Sequence, residues 1–175
     1  MTETPRPSAP GLGSLTIDRD KATMVFQRRL SHPPEAVWKA LTDPVEFSKW
    51  HLTEASIEGR LGGRVRFTRS PQRFEVTGRI LTWDPPRVFE HEWKVTPWEH
   101  APKGEDSVIR WELRPEGTDT VLTLRHRNLT RQFASVYIAG THAFLDRLEA
   151  QLDGRPLPTM ARSAEVRDLY PIQID

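Results

Sequence analysis

The chain has 175 residues, with 25 Lys and Arg against 24 Asp and Glu and no cysteine. That length suits one domain with a real core, and the near-cancelled charge gives no long-range field for nucleic acid or an anionic membrane. The lack of cysteine excludes disulfides, thiolate chemistry and cysteine metal sites, and no apolar run approaches the roughly 20 residues that span a bilayer.

Residues 1–14, MTETPRPSAPGLGS, are polar and rich in Pro and Gly, with no apolar signal core, and read as a disordered tail. A cytoplasmic protein is therefore expected. Lys21 to Leu30 reads as the first strand, with Met24, Phe26 and Leu30 on one face. Arg28 shares that face, either through a slipped register or as a deliberate inward charge. Its head then either snorkels to the sheet edge or clamps a carboxylate or phenolate. Ser31-His32-Pro33-Pro34-Glu35 starts a helix whose apolar stripe is Val37, Trp38 and Leu41. Thr42-Asp43-Pro44 ends it and caps a second short helix carrying Phe47 and Trp50.

Gly59 to Gly63 turns into a strand with Val65 and Phe67 inward. Ser70-Pro71-Gln72 is the next turn, and from Arg73 to Asn128 the residues alternate almost without slips. Phe74, Val76, Gly78 and Ile80 share one face. After the corner at Asp84-Pro85-Pro86 come Phe89, His91, Trp93 and Val95. Pro97 to Asp106 is a polar loop. Ile109, Trp111 and Leu113 follow, then, past a turn at Pro115 to Asp119, Leu122, Leu124 and His126. This period of two describes an antiparallel sheet of about six or seven strands with one wet and one covered face.

Gln132 to Leu152 is the longest helix. Phe133, Tyr137, Thr141, Phe144, Leu148 and Leu152 form its inward stripe, with Val136, Gly140 and Leu145 at the margins. His142, Asp146, Glu149 and Ser135 lie opposite. Gly154 is a C-cap, and Pro156 and Pro158 forbid continuation. Residues 15–154 thus make the domain. Residues 155–175 form an extension wrapping its surface, anchored by Leu169, Tyr170 and Ile172.

The order of strand, two short helices, strand meander and long last helix is the α+β helix-grip arrangement, a curved antiparallel sheet wrapped around the C-terminal helix. The local words agree with it: Thr42-Asp43-Pro44 before Trp50, Gly62-Gly63 before Val65-Arg66-Phe67, Gly78 through Trp83-Asp84-Pro85-Pro86-Arg87, Ser107-Val108, Leu122-Thr123-Leu124-Arg125-His126, and Gly140 with Leu145-Asp146-Arg147-Leu148. Over roughly residues 20–155 the chain resembles the START-like (SRPBCC) superfamily, specifically the bacterial relatives of the activator of the heat-shock protein 90 ATPase. In that family a second tryptophan often follows the one at Trp50, where this chain has His51. A tryptophan commonly follows the helix glycine, where this chain has Thr141. The separate N-terminal domain with which eukaryotic activators hold the chaperone is not expected here.

The residues expected at a ligand are Trp50, Phe67, Phe74, Phe89, His91, Trp93, Trp111, His126, Tyr137, Thr141 and Phe144. A helix-grip sheet curls too far for its side chains to fill, so the aromatic set reads as cavity lining. His91 and His126 could each exchange one hydrogen bond with a ligand, or be core histidines tied to a carbonyl or buried water. The leading reading is a binding protein for a small apolar or aromatic molecule. Alternatives are a START-like cyclase or hydrolase using the same imidazoles, and, as the resemblance implies, a module acting on a chaperone. No catalytic residue, cofactor or metal is expected. The histidines, His32, His51, His91, His100, His126 and His142, show no pair at helical ligand spacing. No nucleic acid partner or membrane insertion is expected, and a homodimer is left open.

Overall fold

The alternation of rings and charges along the strands gives each strand one face to bury, and in the computed structural model, which describes residues 11–70, 74–98 and 101–170, all the strands join one sheet. Its members are Ser14–Asp18 (β1), Lys21–Leu30 (β2), Glu54–Ile57 (β3), Arg64–Arg69 (β4), Phe74–Asp84 (β5), Val88–Val95 (β6), Glu105–Glu116 (β7) and Asp119–Thr130 (β8). They run in the order β1-β2-β8-β7-β6-β5-β4-β3, every neighbour antiparallel. Register shifts between Ala22 and Met24 in β2 and between Ile80 and Thr82 in β5 bend the sheet. At Gly78 the backbones of β5 and β6 come so close that a Cβ would collide with the Glu92 carbonyl oxygen.

Two helices, Pro34–Thr42 (α1) and Pro44–His51 (α2), carry the chain from β2 to the far edge of the sheet. Asp43 separates them and caps the second, its carboxylate accepting the Glu46 N–H at 3.0 Å. The Trp50 indole N–H donates to the Ala40 carbonyl at 2.8 Å and so ties α2 to α1. The long helix Ala134–Leu152 (α3) follows a 3-10 turn at Arg131–Phe133 and packs on the concave face. The architecture is α+β and of the helix-grip kind.

The two edge strands β1 and β3 are additions to the strands read from sequence. Each has a single ladder partner and alternates only between exposed and half-buried residues, so its apolar signal is weak. Ser14 begins β1 opposite Val25, and the Gly13 N–H donates to Tyr170 Oη at 3.0 Å, so both residues belong to the fold rather than to a tail. The rest of the expected tail before Gly11, Arg73, the Glu99-His100 loop and Ile172 lie outside the described residues.

Helix α3 is buried on two sides, which corrects the expectation of one inward stripe. Leu148 and Ile138 are fully buried in the core, while Phe133, Tyr137, Thr141, Phe144 and Leu152 are half-buried and Val136 is exposed. The face opposite that stripe is covered by the chain that returns after Gly154, including a short helix Arg162–Val166 (α4). His142 is buried there, with Nδ1 at 2.6 Å from Tyr170 Oη. The Tyr170 hydroxyl accepts from Gly13 and also meets His142 Nδ1, and His142 Nε2 stands 3.5 Å from Asp146. Arg28 is not at the sheet edge: Nη1 pairs with Asp146 at 2.7 Å and Glu149 at 3.4 Å. The extension is anchored by Val166, fully buried, and by Tyr170, whereas Leu169 is exposed.

Candidate functional site

A cavity of about 570 Å³ lies between the concave face of the sheet and α3. Of the residues expected at a ligand, Trp50, Phe74, His91, Trp93, Trp111, His126, Tyr137, Thr141 and Phe144 line it. Phe67 and Phe89 do not, which corrects their placement. Both point inward but sit where α1 and α2 cover the sheet. Phe67 stacks on Phe47 with centroids 4.7 Å apart, and Phe89 is wedged against Trp38 at 6.3 Å and Trp83 at 5.4 Å. Trp50 is tied to α1 through its N–H and presents its ring to the cavity.

Sequence reasoning missed His51 and Arg69 as lining residues. The His51 imidazole lies between the Phe47 ring at 4.6 Å and the Phe144 ring at 4.5 Å, stacked on both. The missed signal was its position: a heteroaromatic ring where relatives carry an indole. Arg69 ends β4 with the same parity as Val65 and Phe67, so period two already turned it inward.

The three cavity imidazoles are held neutral by burial. His51 is pushed down to about 3 by desolvation, with Arg69 and His91 opposing its charge. Burial lowers His126 to about 3, again with His91 disfavouring a proton. Burial lowers His91 to about 4, against the backbone bond to Glu92, which favours protonation. That bond, Nδ1 to the Glu92 carbonyl at 2.8 Å, needs the proton on Nδ1 and leaves Nε2 as an acceptor. His51 Nδ1 meets Thr53 Oγ1 at 3.0 Å.

Ser107 Oγ stands 2.7 Å from His126 Nε2 and 3.2 Å from the Trp93 carbonyl oxygen. The serine has one proton, so both bonds form together only when His126 Nε2 donates to Ser107 and Ser107 donates to Trp93. The pair is thus turned the wrong way for the imidazole to activate the hydroxyl, and Ser107 is buried away from the cavity lining. A base whose conjugate acid ionises near 3 is also a poor proton acceptor at pH 7.

Two hydroxyls, of Tyr137 and Thr141, also line the cavity. Burial raises the Tyr137 phenol, so it stays protonated, and its oxygen lies near the buried Trp93 indole N–H, which has no partner in hydrogen-bonding geometry among the described residues. The Thr141 hydroxyl makes no hydrogen bond among the described residues, unlike Thr42, which bonds back to the Trp38 carbonyl at 2.8 Å. Among the described residues no three His, Asp or Glu side chains group closely enough to hold a metal ion, and no helix is long and apolar enough to cross a membrane.

Solved structures share this arrangement. CalU16 from Micromonospora echinospora is 27% identical, with a TM-score of 0.67 over 89% of this chain and 90% of that one. Protein MLL2253 from Mesorhizobium loti is 25% identical, with a TM-score of 0.66 over 77% of this chain and 99% of that one. A conserved protein of unknown function from Enterococcus faecalis, EF2215, shares the fold at 19% identity and a TM-score of 0.67, over 90% of this chain and 88% of that one. A search of curated protein sequences gives no match. The model of one family, described as activator of Hsp90 ATPase homolog 1-like protein, matches residues 31–153, from the start of α1 to the end of α3, and to that family this chain belongs.

Proposed function

We propose that this protein binds a small apolar or aromatic molecule between the sheet and α3, as a cytoplasmic carrier or receptor rather than a catalyst. One observation carries the reading: a ring-walled cavity of about 570 Å³, inside the size range of small-molecule sites, whose imidazoles are neutral at pH 7. Rings supply apolar area and offset stacking for a flat ligand. The Thr141 hydroxyl and His91 Nε2, both without a hydrogen-bond partner among the described residues, and the Tyr137 hydroxyl supply directed hydrogen bonds to its polar atoms. Native mass spectrometry of freshly purified protein tests this. A co-purified molecule of a few hundred daltons, released on denaturation, supports the reading, and failure to take up any member of a flat aromatic library opposes it.

A further inference from the structure

Arg69 is the sole permanently charged side chain among the described residues that line the cavity. Its guanidinium spans from α2 to α3. Nε donates to the Leu52 carbonyl at 3.0 Å, Nη2 donates to the His51 carbonyl at 3.0 Å, and the planar group lies over the Phe144 ring, 5.8 Å from its centroid. From the other side, Arg147 donates to the Lys49 carbonyl at 3.0 Å and the Trp50 carbonyl at 2.8 Å. Two arginines therefore hold the carbonyls at the end of α2, and neither meets a carboxylate among the described residues.

Capping leaves both charge and hydrogen-bonding capacity unused. A helix C-terminus offers only about half a negative charge, set here against two full cations. Arg69 spends one edge of its fork on backbone, through Nε and Nη2. Nη1 and the second Nη2 proton form the opposite edge, and Nη1 has no partner among the described residues. A guanidinium edge of this kind matches the two oxygens of a carboxylate. No carboxylate side chain lines the cavity among the described residues, so among them nothing in the cavity competes with an incoming anion for this edge.

We propose that the ligand is an aromatic acid: its carboxylate, or another planar or tetrahedral oxyanion, sits on the free edge of Arg69 while the rings hold its body. This rests on the cavity being the binding site. Arg69 thereby has, inside the cavity, the anion-clamping role that the sequence left open for Arg28, whose Nη1 meets Asp146 and Glu149 instead.

Two fluorescent probes of matched shape separate the questions: the anionic 1-anilinonaphthalene-8-sulfonate and the neutral N-phenyl-1-naphthylamine. Each is titrated into wild type, Arg69→Gln and Arg69→Lys at low and high salt. Wild type should lose about tenfold in affinity for the sulfonate at high salt, while the neutral probe is indifferent. Arg69→Gln, which keeps a donor for the α2 carbonyls, should weaken the sulfonate by about tenfold or more, the scale of a lost charged hydrogen bond, and leave the neutral probe unchanged. Arg69→Lys should recover part of that loss. Equal salt response for both probes in wild type, or unaltered sulfonate binding in Arg69→Gln, overturns the assignment of Arg69 while the cavity stands. Failure of wild type to bind either probe overturns the cavity reading and this inference with it. The salt comparison uses wild type alone, so it holds even where a variant does not fold.

Discussion

The His51 imidazole lies flat on the Phe144 ring, centroids 4.5 Å apart and planes 20° from parallel. This stack joins the end of α2 to the middle of α3 across one wall of the cavity, and Arg69 rests on the same Phe144 ring. Phe144 is only half-buried because its remaining surface faces the cavity.

Its truncation should therefore be mild. Phe144→Ala is expected to cost about 1–2 kcal/mol, whereas Trp111→Ala, at a buried ring packed on Trp50 with centroids 6.1 Å apart, should cost about 3–5 kcal/mol. Urea midpoints at unchanged slope decide this. Equal losses would mean that Phe144 is packed core rather than cavity wall.

Acid should unfold the protein early, and through histidine. His51, His91 and His126 sit at about 3, 4 and 3 when folded, below their ordinary value of 6.5. Between 6.5 and about 4 the unfolded chain binds more protons, so stability is full above pH 6.5 and falls as pH drops toward 4. Each histidine contributes at most about 1.4 kcal/mol per pH unit in that window. His91→Gln should flatten the dependence of stability on pH between 6 and 4.5. An unchanged slope would place the imidazoles in a wetter setting.

Filling the cavity at its helix wall should separate affinity from stability. Thr141 is half-buried, lines the cavity and has a hydroxyl with no hydrogen bond among the described residues. Thr141→Trp should weaken a bulky aromatic ligand by about tenfold or more and hold or raise the melting temperature by adding buried ring. Unchanged affinity with lowered stability would show that position 141 is already packed.

The clasp beneath α3 predicts an unequal pair. Arg28 is buried, and Asp146 is its close partner at 2.7 Å, while Glu149 stands at 3.4 Å and is more exposed. Removing the partner of a buried charge is costly, so Asp146→Asn should lose about 2–4 kcal/mol and Glu149→Gln less than about 1 kcal/mol. Denaturant titration of the two variants checks the order, and equal losses would contradict it.

The sheet was legible because period two holds along its central strands: Phe89, His91, Trp93 and Val95, expected on one face, are all buried. Parity says which face a residue takes but not what lies above it. Phe67 and Trp93 are both inward, yet Phe47 covers the first and open space adjoins the second. That difference depends on where α1 and α2 land, which is a long-range packing outcome. His142 and Asp146 were read only as lying opposite the inward stripe for the same reason: the chain that covers them, through Tyr170 and Arg162, leaves no local periodic trace. Strand β1 escaped because an edge strand needs only half a pattern.

The claim that an aromatic molecule occupies the space between sheet and α3 is tested most directly by the side-chain N–H signals of the six tryptophans in a ¹H–¹⁵N spectrum, titrated with N-phenyl-1-naphthylamine. Trp50, Trp93, Trp98 and Trp111 line the cavity, while Trp38 and Trp83 pack on each other under α1, centroids 5.1 Å apart. The account predicts saturable shifts, largest at Trp93 and Trp111, with Trp38 and Trp83 almost still. Shifts confined to Trp38 and Trp83, or none at any tryptophan at saturating probe, would contradict it.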